Sequence, residues 1–167
     1  MCPRRKRSLP SPDKTHTTAM SATLRERALR LLARREHARA ELARKLAPHA
    51  ESAEALAALL DDLCARRLLS DERYVEMRMH ARSAHFGNAL LAQELRQQGV
   101  ADELVAAALA AGEDELARAR QVWQKKFGDG PLVIDAAGRA RQTRFLLSRG
   151  FSGETIRRVL RGNFEDD

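Results

Sequence analysis

The chain has 167 residues, of which 32% are charged and 44% hydrophobic, a balance typical of soluble globular proteins. Only 4% are aromatic, whereas 29 are alanine, and this composition favours helices over sheets. The two cysteines, Cys2 and Cys64, exclude a disulfide framework and a cysteine-rich zinc site, and they indicate a reducing compartment. No apolar run approaches the roughly 20 residues needed to cross a bilayer. We therefore expect a cytoplasmic protein without a membrane segment.

The first 23 residues differ in composition from the rest of the chain. They hold five basic residues and one acidic residue, and their prolines stand among Ser, Thr and basic residues with almost nothing apolar. Such a segment cannot bury enough apolar surface to fold, so we predict a disordered basic tail over 1–23. The basic run at residues 4–7 is not followed by the apolar stretch of a secretory signal.

From Leu24 onward, apolar residues recur at helical spacing and share one face, as do Leu24, Ala28, Leu31 and Leu32. Proline, glycine and capping residues divide the chain into nine predicted helices. The first predicted helix begins at Leu24, and the second and third extend over about 38–47 and 53–66. The fourth runs from Ser70 or Asp71 to about Ala84, and the fifth is capped by Asn88 and ends at Gly99. The last four extend over 102–111, 113–127, about 136–149, and from a cap at Ser152 to about Gly162. The apolar segment 132–134 is too short and isolated for a strand.

An internal repeat groups these helices. The stretch from Leu95 to Leu109 recurs from Leu146 to Leu160, with every matched position shifted by 51 residues. A weaker first copy has Pro-His-Ala at 48–50 where the other two copies have a glycine. A unit of three short helices buries little apolar surface alone and gains a core by stacking on its neighbours. The sequence therefore predicts an all-α fold of three tandem three-helix repeats that form an elongated, curved solenoid.

The repeat and the composition together divide the chain into five predicted regions. They are a disordered basic tail at 1–23, helical repeats at 24–69, 70–112 and 113–162, and an acidic C-terminal end at 163–167.

Positive charge is concentrated in the last repeat. Residues 139–161 contain seven arginines and one acidic residue, Glu154. A guanidinium is permanently charged and bonds two phosphate oxygens at once, so this patch suits a polyanionic partner. The alternative is compositional bias, because the chain has 25 arginines and only five lysines. The candidate contact residues on the eighth and ninth predicted helices are Arg141, Arg144, Arg149, Arg157 and Arg158.

The fourth predicted helix carries three further candidates, Arg73, Arg78 and Arg82. Arg78 and Arg82 are four residues apart and therefore share a helix face. Tyr74 lies on the side of Arg78, where it either stacks on a base or packs inward, and we expect it in the core.

No catalytic, metal or cofactor site is expected. His80 and His85 are five residues apart, which does not place both on one helix face, and the zinc-binding His-Glu-x-x-His spacing is absent. There is no Gly-Lys-Ser/Thr phosphate loop, and Gly128-x-Gly130 lacks the third glycine and preceding strand of a dinucleotide site. We therefore expect a chain that binds a partner and performs no chemistry itself.

Several segments, in the expected order over about residues 24–162, resemble the bacterial RecX family. They are Ala28-Leu29-x-Leu31-Leu32-Ala33-x-Arg35, Glu41-Leu42-x-x-Lys45-Leu46, Leu68-Leu69-Ser70-Asp71-x-Arg73-Tyr74-Val75, Gln93-Glu94-Leu95-x-x-x-Gly99-Val100 and Arg144-Phe145-Leu146-x-x-Arg149-Gly150-Phe151-Ser152. The chain departs from the family at 37–38, where it has His-Ala and relatives usually place Ser or Thr. It also has His-Phe-Gly at 85–87, where relatives often carry a Lys-Gly pair.

The resemblance implies a regulator of the RecA recombinase. Members of the family bind RecA and its filament on single-stranded DNA, and they inhibit its ATPase, strand-exchange and co-protease activities. The partners expected for this chain are therefore the RecA filament and the single-stranded DNA within or near it, with the solenoid lying in the filament groove. We expect a monomer without a cofactor.

Two other readings of the residues stay open. Gly99 and Gly150 suit the turn of a helix-turn-helix, so the chain could be a DNA-binding transcription factor. It could also be a helical solenoid that binds proteins without contacting DNA.

Overall fold

The structure, a computed structural model, describes residues 23–128 and 135–162. Within these two ranges the chain forms nine α-helices, a short 3-10 turn at Ala47–His49 and no strand. The helices are α1 (Leu24–Leu32), α2 (Arg39–Leu46), α3 (Ala53–Ala65), α4 (Asp71–Arg82), α5 (Asn88–Gln97), α6 (Asp102–Ala111), α7 (Glu115–Phe127), α8 (Ala136–Ser148) and α9 (Gly153–Gly162). Residues 1–22 of the tail predicted over 1–23, the segment 132–134 and the acidic end at 163–167 lie outside the described residues. Thr23, which the prediction assigned to the tail, is instead the N-cap of α1.

Side-chain caps fix the start of most helices. Thr23 and Glu26 form a reciprocal capping box at the start of α1. Ser70 Oγ accepts the N–H of Arg73 at 3.2 Å, which caps α4 at the predicted position. In α9, Ser152 Oγ accepts the N–H of Thr155 at 3.1 Å, so the cap predicted at Ser152 is confirmed.

Two predicted helix starts are displaced in the structure. Gly87, not Asn88, is the N-cap of α5, so the prediction that Asn88 caps this helix is wrong. The side chain of Asn88 is used elsewhere, because its Oδ1 accepts a hydrogen bond from Arg118. Helix α7 begins at Glu115 instead of Glu113, since Asp114 is its N-cap and accepts the N–H of Ala117 at 3.1 Å.

The helices form three units in tandem: α1–α3, α4–α6 and α7–α9. In the described ranges, the most extensive helix packing joins helices of the same unit. Each unit has its own hydrophobic cluster, and the Tyr74 side chain, only 3% exposed, lies in the second cluster, as predicted. Prominent members of the three clusters are Leu42, Leu46 and Leu63; Tyr74, Leu95 and Val105; and Trp123, Leu146 and Ile156. This nine-helix repeat architecture confirms the predicted all-α solenoid class.

The duplicated glycines end α5 and α8 in the same way. Gly99 and Gly150 both have φ of +81°, in the left-handed region that favours glycine. One residue later, the N–H groups of Val100 and Phe151 bond the carbonyls of Leu95 and Leu146, each at 3.2 Å. Because Val100 and Phe151 are buried, each turn drives an apolar residue into the core of its own unit. The shift of 51 residues seen in the sequence is thus one turn geometry used twice.

The same glycines bring neighbouring units into close contact. A Cβ on Gly99 would collide with Ala40 of α2, and a Cβ on Gly150 would collide with Leu90 of α5. Gly87 is equally confined, because a Cβ there would overlap the backbone of Gly150 and Phe151. At these glycines, the backbone of one unit therefore packs directly against the neighbouring unit, with no side chain of the glycine between them.

Helices α2 and α5 lack an N-terminal cap of their own, because their N-cap residues are Ala38 and Gly87. In each case the first helix of the following unit supplies a carboxylate. Asp71 Oδ1 accepts the N–H of Arg39 at 2.7 Å, and Glu115 Oε1 accepts the N–H of Asn88 at 2.8 Å. The serine or threonine expected at the start of α2 is thus replaced by a cap from the next unit, and the cap also joins the two units.

None of the helices in the described residues is both long and apolar enough to cross a membrane.

Candidate nucleic-acid interface

The three candidate arginines of α4 all lie against carboxylates. Arg73 Nε is 2.8 Å from Glu36 Oε1, so this ion pair joins α4 to the residues just before α2. Arg78 Nη2 is 2.9 Å from Glu94 Oε2, and Arg82 bonds the other oxygen of the same carboxylate. These side chains are about one-third exposed. A phosphate would therefore have to compete with a carboxylate for each of them.

The candidate arginines of α8 have a different environment. Arg141 and Arg144 are exposed on α8, whereas Gln142 and Leu146 of the same helix are buried. In the described part of the chain, no hydrogen bond, ion pair or ring contact engages either guanidinium. Arg158, exposed on α9, makes no hydrogen bond or ion pair with its side chain among these residues, although its charge helps to lower the pKa of Glu154. The donors of all three side chains are therefore available to an external acceptor.

Arg149 follows α8 and is held between two aromatic rings. Its guanidinium carbon lies 5.4 Å from the ring centroid of Phe86 and 5.2 Å from that of Phe145. The guanidinium carbon of Arg82 lies 4.2 Å from the centroid of the same Phe86 ring. Cations and aromatic rings thus alternate across the junction between the second and third units. Stacking uses the faces of a guanidinium and leaves its N–H groups at the edge.

Arg157 is paired, although only at the surface. Its Nη2 lies 2.6 Å from Glu154 Oε2, three residues earlier on α9, and both side chains are 67% exposed. The hydrogen bond from Arg157 lowers the pKa of Glu154. Exposed pairs of this kind contribute little stability, so an external anion can replace Glu154 at small cost.

The two later units differ in charge as well as in pairing. Residues 70–112 hold four basic and six acidic residues, whereas residues 113–162 hold eleven basic and six acidic ones. Residues 24–69 hold ten basic and seven acidic residues, so the third unit has the largest excess of positive charge of the three.

Two cationic residues in this region were not singled out by the sequence analysis. Lys125 and Lys126 lie in the last turn of α7, and both side chains are exposed. They line a groove with Arg149 and Phe145, between α7, α8 and the α4–α5 turn. One feature of the sequence could have indicated them: two of the five lysines of the chain are adjacent and directly precede Phe127.

One arginine of the third unit has a structural role. Arg118 is 1% exposed and donates to the carbonyls of Ser83 and Phe86 at 3.0 and 2.7 Å. It also bonds Asn88 Oδ1 and, at 3.2 Å, the Glu113 carbonyl. Arg118 therefore fastens α7 to the turn between α4 and α5, and it presents nothing to solvent.

A second buried charged group lies near the first junction, around Glu41 of α2. Burial alone would raise the pKa of Glu41, but hydrogen bonds from Arg35 and Lys45 outweigh it and lower the pKa to about 2. Burial also lowers the pKa of His37, whose Nδ1 lies 3.0 Å from the Arg35 carbonyl. Lys45 Nζ lies 3.1 Å from Glu41 and 3.3 Å from His37 Nε2, which fits a neutral imidazole that accepts there.

The described ranges contain no cluster of three or more His, Cys, Asp or Glu side chains that could hold a metal ion. The grouped polar residues are ion pairs and arginine contacts, and the exposed charge is mainly guanidinium and ammonium. The fold and this surface define a class: an α-helical repeat protein whose third unit carries an excess of basic residues.

Comparison with known proteins identifies the family within this class. Models of the RecX second and third three-helix domains match residues 70–109 and 113–160. The chain is 51% identical over 140 residues to the regulatory protein RecX of Leptothrix cholodnii, covering 83% of this chain and 88% of that protein. It is 47% identical over 149 residues to the regulatory protein RecX of Chromobacterium violaceum, covering 89% and 96%. The chain belongs to the RecX family.

Solved structures show the same fold at low sequence identity. The crystal structure of RecX from Lactobacillus salivarius matches with a TM-score of 0.69 and 17% identity, over 83% of this chain and 93% of that one. A second crystal structure of regulatory protein RecX also gives a TM-score of 0.69, with 18% identity, over 81% of this chain and 70% of that one.

Proposed function

We propose that the chain binds the RecA recombinase and its filament on single-stranded DNA, and that it inhibits the recombinase, ATPase and co-protease activities of RecA. It would thereby regulate DNA repair and recombination, including the SOS response, as a cytoplasmic monomer that catalyses no reaction. Membership of a family of regulatory proteins supports this proposal. We also propose that the three helical repeats of this regulator extend over residues 24–69, 70–112 and 113–162.

The observation that carries the proposal is the surface of the third unit. Arg141, Arg144 and Arg158 make no ion pair in the described ranges, and the unit has nearly twice as many basic as acidic residues. An arginine that is not neutralised within the chain can bond phosphate oxygens or acidic side chains of a partner at little cost. A nucleoprotein filament offers both kinds of acceptor, whereas a small neutral ligand offers neither.

We assign the candidate arginines two levels of involvement. Arg141, Arg144, Arg149 and Arg158 are the primary contacts, and Arg157 joins them by exchanging Glu154 for a partner anion. Arg73, Arg78 and Arg82 are secondary contacts, because each must first share or leave a carboxylate.

The direct test is a titration of RecA ATP hydrolysis on single-stranded DNA with the purified chain. We expect hydrolysis to fall at near-equal or lower ratios of the chain to RecA. If hydrolysis is unchanged across a large excess, the chain is not a RecA inhibitor under these conditions and the proposal fails.

A pair of double variants tests the role of the third unit. Arg141→Ala with Arg144→Ala should weaken filament binding, and the slope of log K against log salt should flatten by roughly 1.4, about 0.7 per lost single-strand phosphate contact. The matched control is Arg30→Ala with Arg34→Ala, which removes two exposed arginines of the first unit that also lack partners in the described ranges. Equal losses in both variants would show that net charge alone decides.

The transcription-factor reading makes an opposite prediction about duplex DNA. A helix-turn-helix regulator selects one sequence from a random duplex pool because its recognition helix reads base edges. We expect repeated selection on this chain to enrich no sequence.

A further inference from the structure

A groove runs across the junction of the second and third units. It has a volume of about 460 Å³, within the range of pockets that hold small organic groups. Its walls come from α7, α8 and the turn between α4 and α5, and we call it the junction groove. Its principal lining residues are His85, Val122, Lys125, Lys126, Phe145 and Arg149.

The junction groove is cationic and contains no carboxylate. Lys125 and Lys126 contribute two ammonium groups from α7, and Arg149 contributes a guanidinium from the end of α8. No lining residue is Asp or Glu. No ion pair or hydrogen bond in the described ranges occupies the side chains of these three cations. An anion that enters the groove therefore meets positive charge without having to displace a competing acid.

Arg149 is held in place before any ligand arrives. The rings of Phe86 and Phe145 lie on its guanidinium at 5.4 and 5.2 Å, and its backbone carbonyl accepts the N–H of Gly87 at 2.8 Å. A fixed guanidinium loses less conformational entropy when it binds than one on a free side chain. Its N–H edge remains available for a phosphate.

The groove also has an apolar wall. Val122 and Phe145 are half-buried and pack against the core of the third unit, and both line the groove. An aromatic side chain beside a row of cations is the usual arrangement in single-strand binding surfaces, where bases stack while the backbone follows positive charge. A paired base in a duplex has both faces stacked on its neighbours, so only an unpaired base can use such a wall.

We propose that the junction groove binds a nucleotide of single-stranded DNA, with its phosphate on Lys125, Lys126 and Arg149 and its base against the apolar wall formed by Val122 and Phe145. The proposal rests on the proposed function for its biological setting, since it locates the DNA contact of that function. It adds two lysines and an aromatic residue to the arginines inferred from the sequence. It also places the contact where two repeat units meet.

The first test measures direct binding of the full chain to a fluorescently labelled oligothymidine by anisotropy over a range of sodium chloride concentrations. Lys125→Ala with Lys126→Ala should weaken binding about tenfold or more at low salt and flatten the salt slope by roughly 1.4. Lys125→Arg with Lys126→Arg should retain most of the affinity, because it keeps both charges. The control, Arg30→Ala with Arg34→Ala, should bind like the unmodified chain.

The second test isolates the aromatic wall. Phe145→Leu keeps an apolar side chain but removes the ring, and we expect oligothymidine binding to weaken at least about fivefold. On an abasic strand of the same length, which has the phosphates but no bases, the loss should be smaller, because only the weaker hold on Arg149 remains. Thermal unfolding of each variant identifies any that loses affinity by failing to fold.

Three results would overturn the groove proposal. They are unchanged affinity of the double-lysine alanine variant, an equal loss in the first-unit control, and an effect of Phe145→Leu that is as large on the abasic strand. These measurements contain no RecA, so they are independent of the ATPase titration. A chain that binds oligothymidine through the groove but leaves RecA hydrolysis unchanged would refute the proposed function and support the groove.

Discussion

The second and third units have the same three-helix fold but use arginine in opposite ways. In the second unit, Arg73, Arg78, Arg82 and Arg96 each lie against a carboxylate. In the third unit, Arg141, Arg144 and Arg158 make no ion pair in the described residues, and Arg149 stacks on rings. The arginines of the second unit are therefore neutralised within the chain, whereas most exposed arginines of the third unit are not.

This comparison shows what decides whether a basic residue is available. Arg78 and Arg144 are both arginines on amphipathic helices, and their local sequences do not separate them. They differ in whether a carboxylate binds them. Arg78 donates a hydrogen bond to Glu94, which lies 16 residues away on α5, whereas no carboxylate in the described ranges binds Arg144. The density of positive charge in the sequence identifies the candidate region. The ion pairs in the structure then show which arginines of that region are already neutralised.

The largest effect is expected at Arg118, the exception to this rule in the third unit. Arg118→Ala removes a buried guanidinium and leaves the carbonyls of Ser83 and Phe86 without a donor. We expect a loss of about 3 to 5 kcal/mol in the free energy of unfolding, the range for breaking a buried charged network. Urea denaturation followed by far-ultraviolet circular dichroism measures it.

Arg120→Ala is the control for this variant, because Arg120 lies on the same helix and is exposed. It should change the free energy of unfolding by less than about 0.5 kcal/mol. Similar effects of the two substitutions would show that Arg118 does not join the units as described.

The next effect extends the comparison to the first unit and concerns acid. The pKa of Glu41 is lowered from 4.5 to about 2, so its stabilising charge is fully present above about pH 4.5 and is lost as the pH falls towards 2. The difference corresponds to about 3 kcal/mol. Because burial lowers the pKa of His37 from 6.5, a further loss of stability begins below about pH 6.5.

Urea denaturation at a series of pH values from 7 to 3 tests this dependence. Glu41→Gln should be less stable than the unmodified chain at pH 7 and should lose less stability on acidification. Glu51→Gln, which removes the charge of an exposed glutamate, should follow the unmodified chain. Parallel curves for all three proteins would contradict the assigned role of Glu41.

A third experiment compares the two junctions. The second and third units are joined by backbone hydrogen bonds, from Gly87 N–H to the Arg149 carbonyl at 2.8 Å and from Ala89 N–H to the Gly150 carbonyl at 3.2 Å. Gly87→Ala would force these backbones apart, and we expect a loss of about 2 kcal/mol. Oligothymidine binding should also weaken, because the same displacement moves Arg149 out of the junction groove.

Gly99→Ala is the counterpart at the first junction. It places a Cβ in the left-handed region and against Ala40, so it should destabilise the chain by at least about 1 kcal/mol. Because Gly99 lies far from the groove in the chain and contacts the first unit, oligothymidine binding by the folded variant should not change. Loss of binding in both variants would argue against a local role for the second junction.

Much of the fold could be predicted from the sequence, because helix periodicity and glycine stops are local. The start of α6 at Asp102 and the turns at Gly99 and Gly150 follow from such signals. The predicted starts of α5 and α7 were less accurate. The side chain of Asn88 does not cap α5 because it accepts a hydrogen bond from Arg118. Helix α7 starts two residues later than predicted because Asp114, in the middle of the acidic run, is its N-cap. The caps that Asp71 and Glu115 supply to the preceding units are long-range contacts, which no local pattern reveals.

The candidate site was less predictable for the same reason. The excess of arginine between residues 139 and 161 points to the third unit, but it does not show which cations are already neutralised. The pairing of Arg78 and Arg82 with Glu94 depends on how α4 packs on α5. The groove beside Lys125 and Lys126 exists only because the third unit stacks on the second.

The smallest change in stability is expected from the variant that makes the second unit resemble the third. Glu94→Gln leaves Arg78 and Arg82 without their shared carboxylate, and these partly exposed pairs should cost about 1 kcal/mol of stability. The two released arginines should strengthen oligothymidine binding and steepen its salt slope by up to roughly 1.4. Stability and DNA binding would then change in opposite directions.

Glu76→Gln provides the matched control for this last variant, because it removes the same charge from an exposed position on α4. Glu76 has no ion pair in the described ranges, so its loss raises the net charge without releasing an arginine. If both variants steepen the salt slope equally, net charge governs binding and the contrast between paired and unpaired arginines is irrelevant. If only Glu94→Gln does so, neutralisation by one carboxylate is what keeps the second unit from binding DNA.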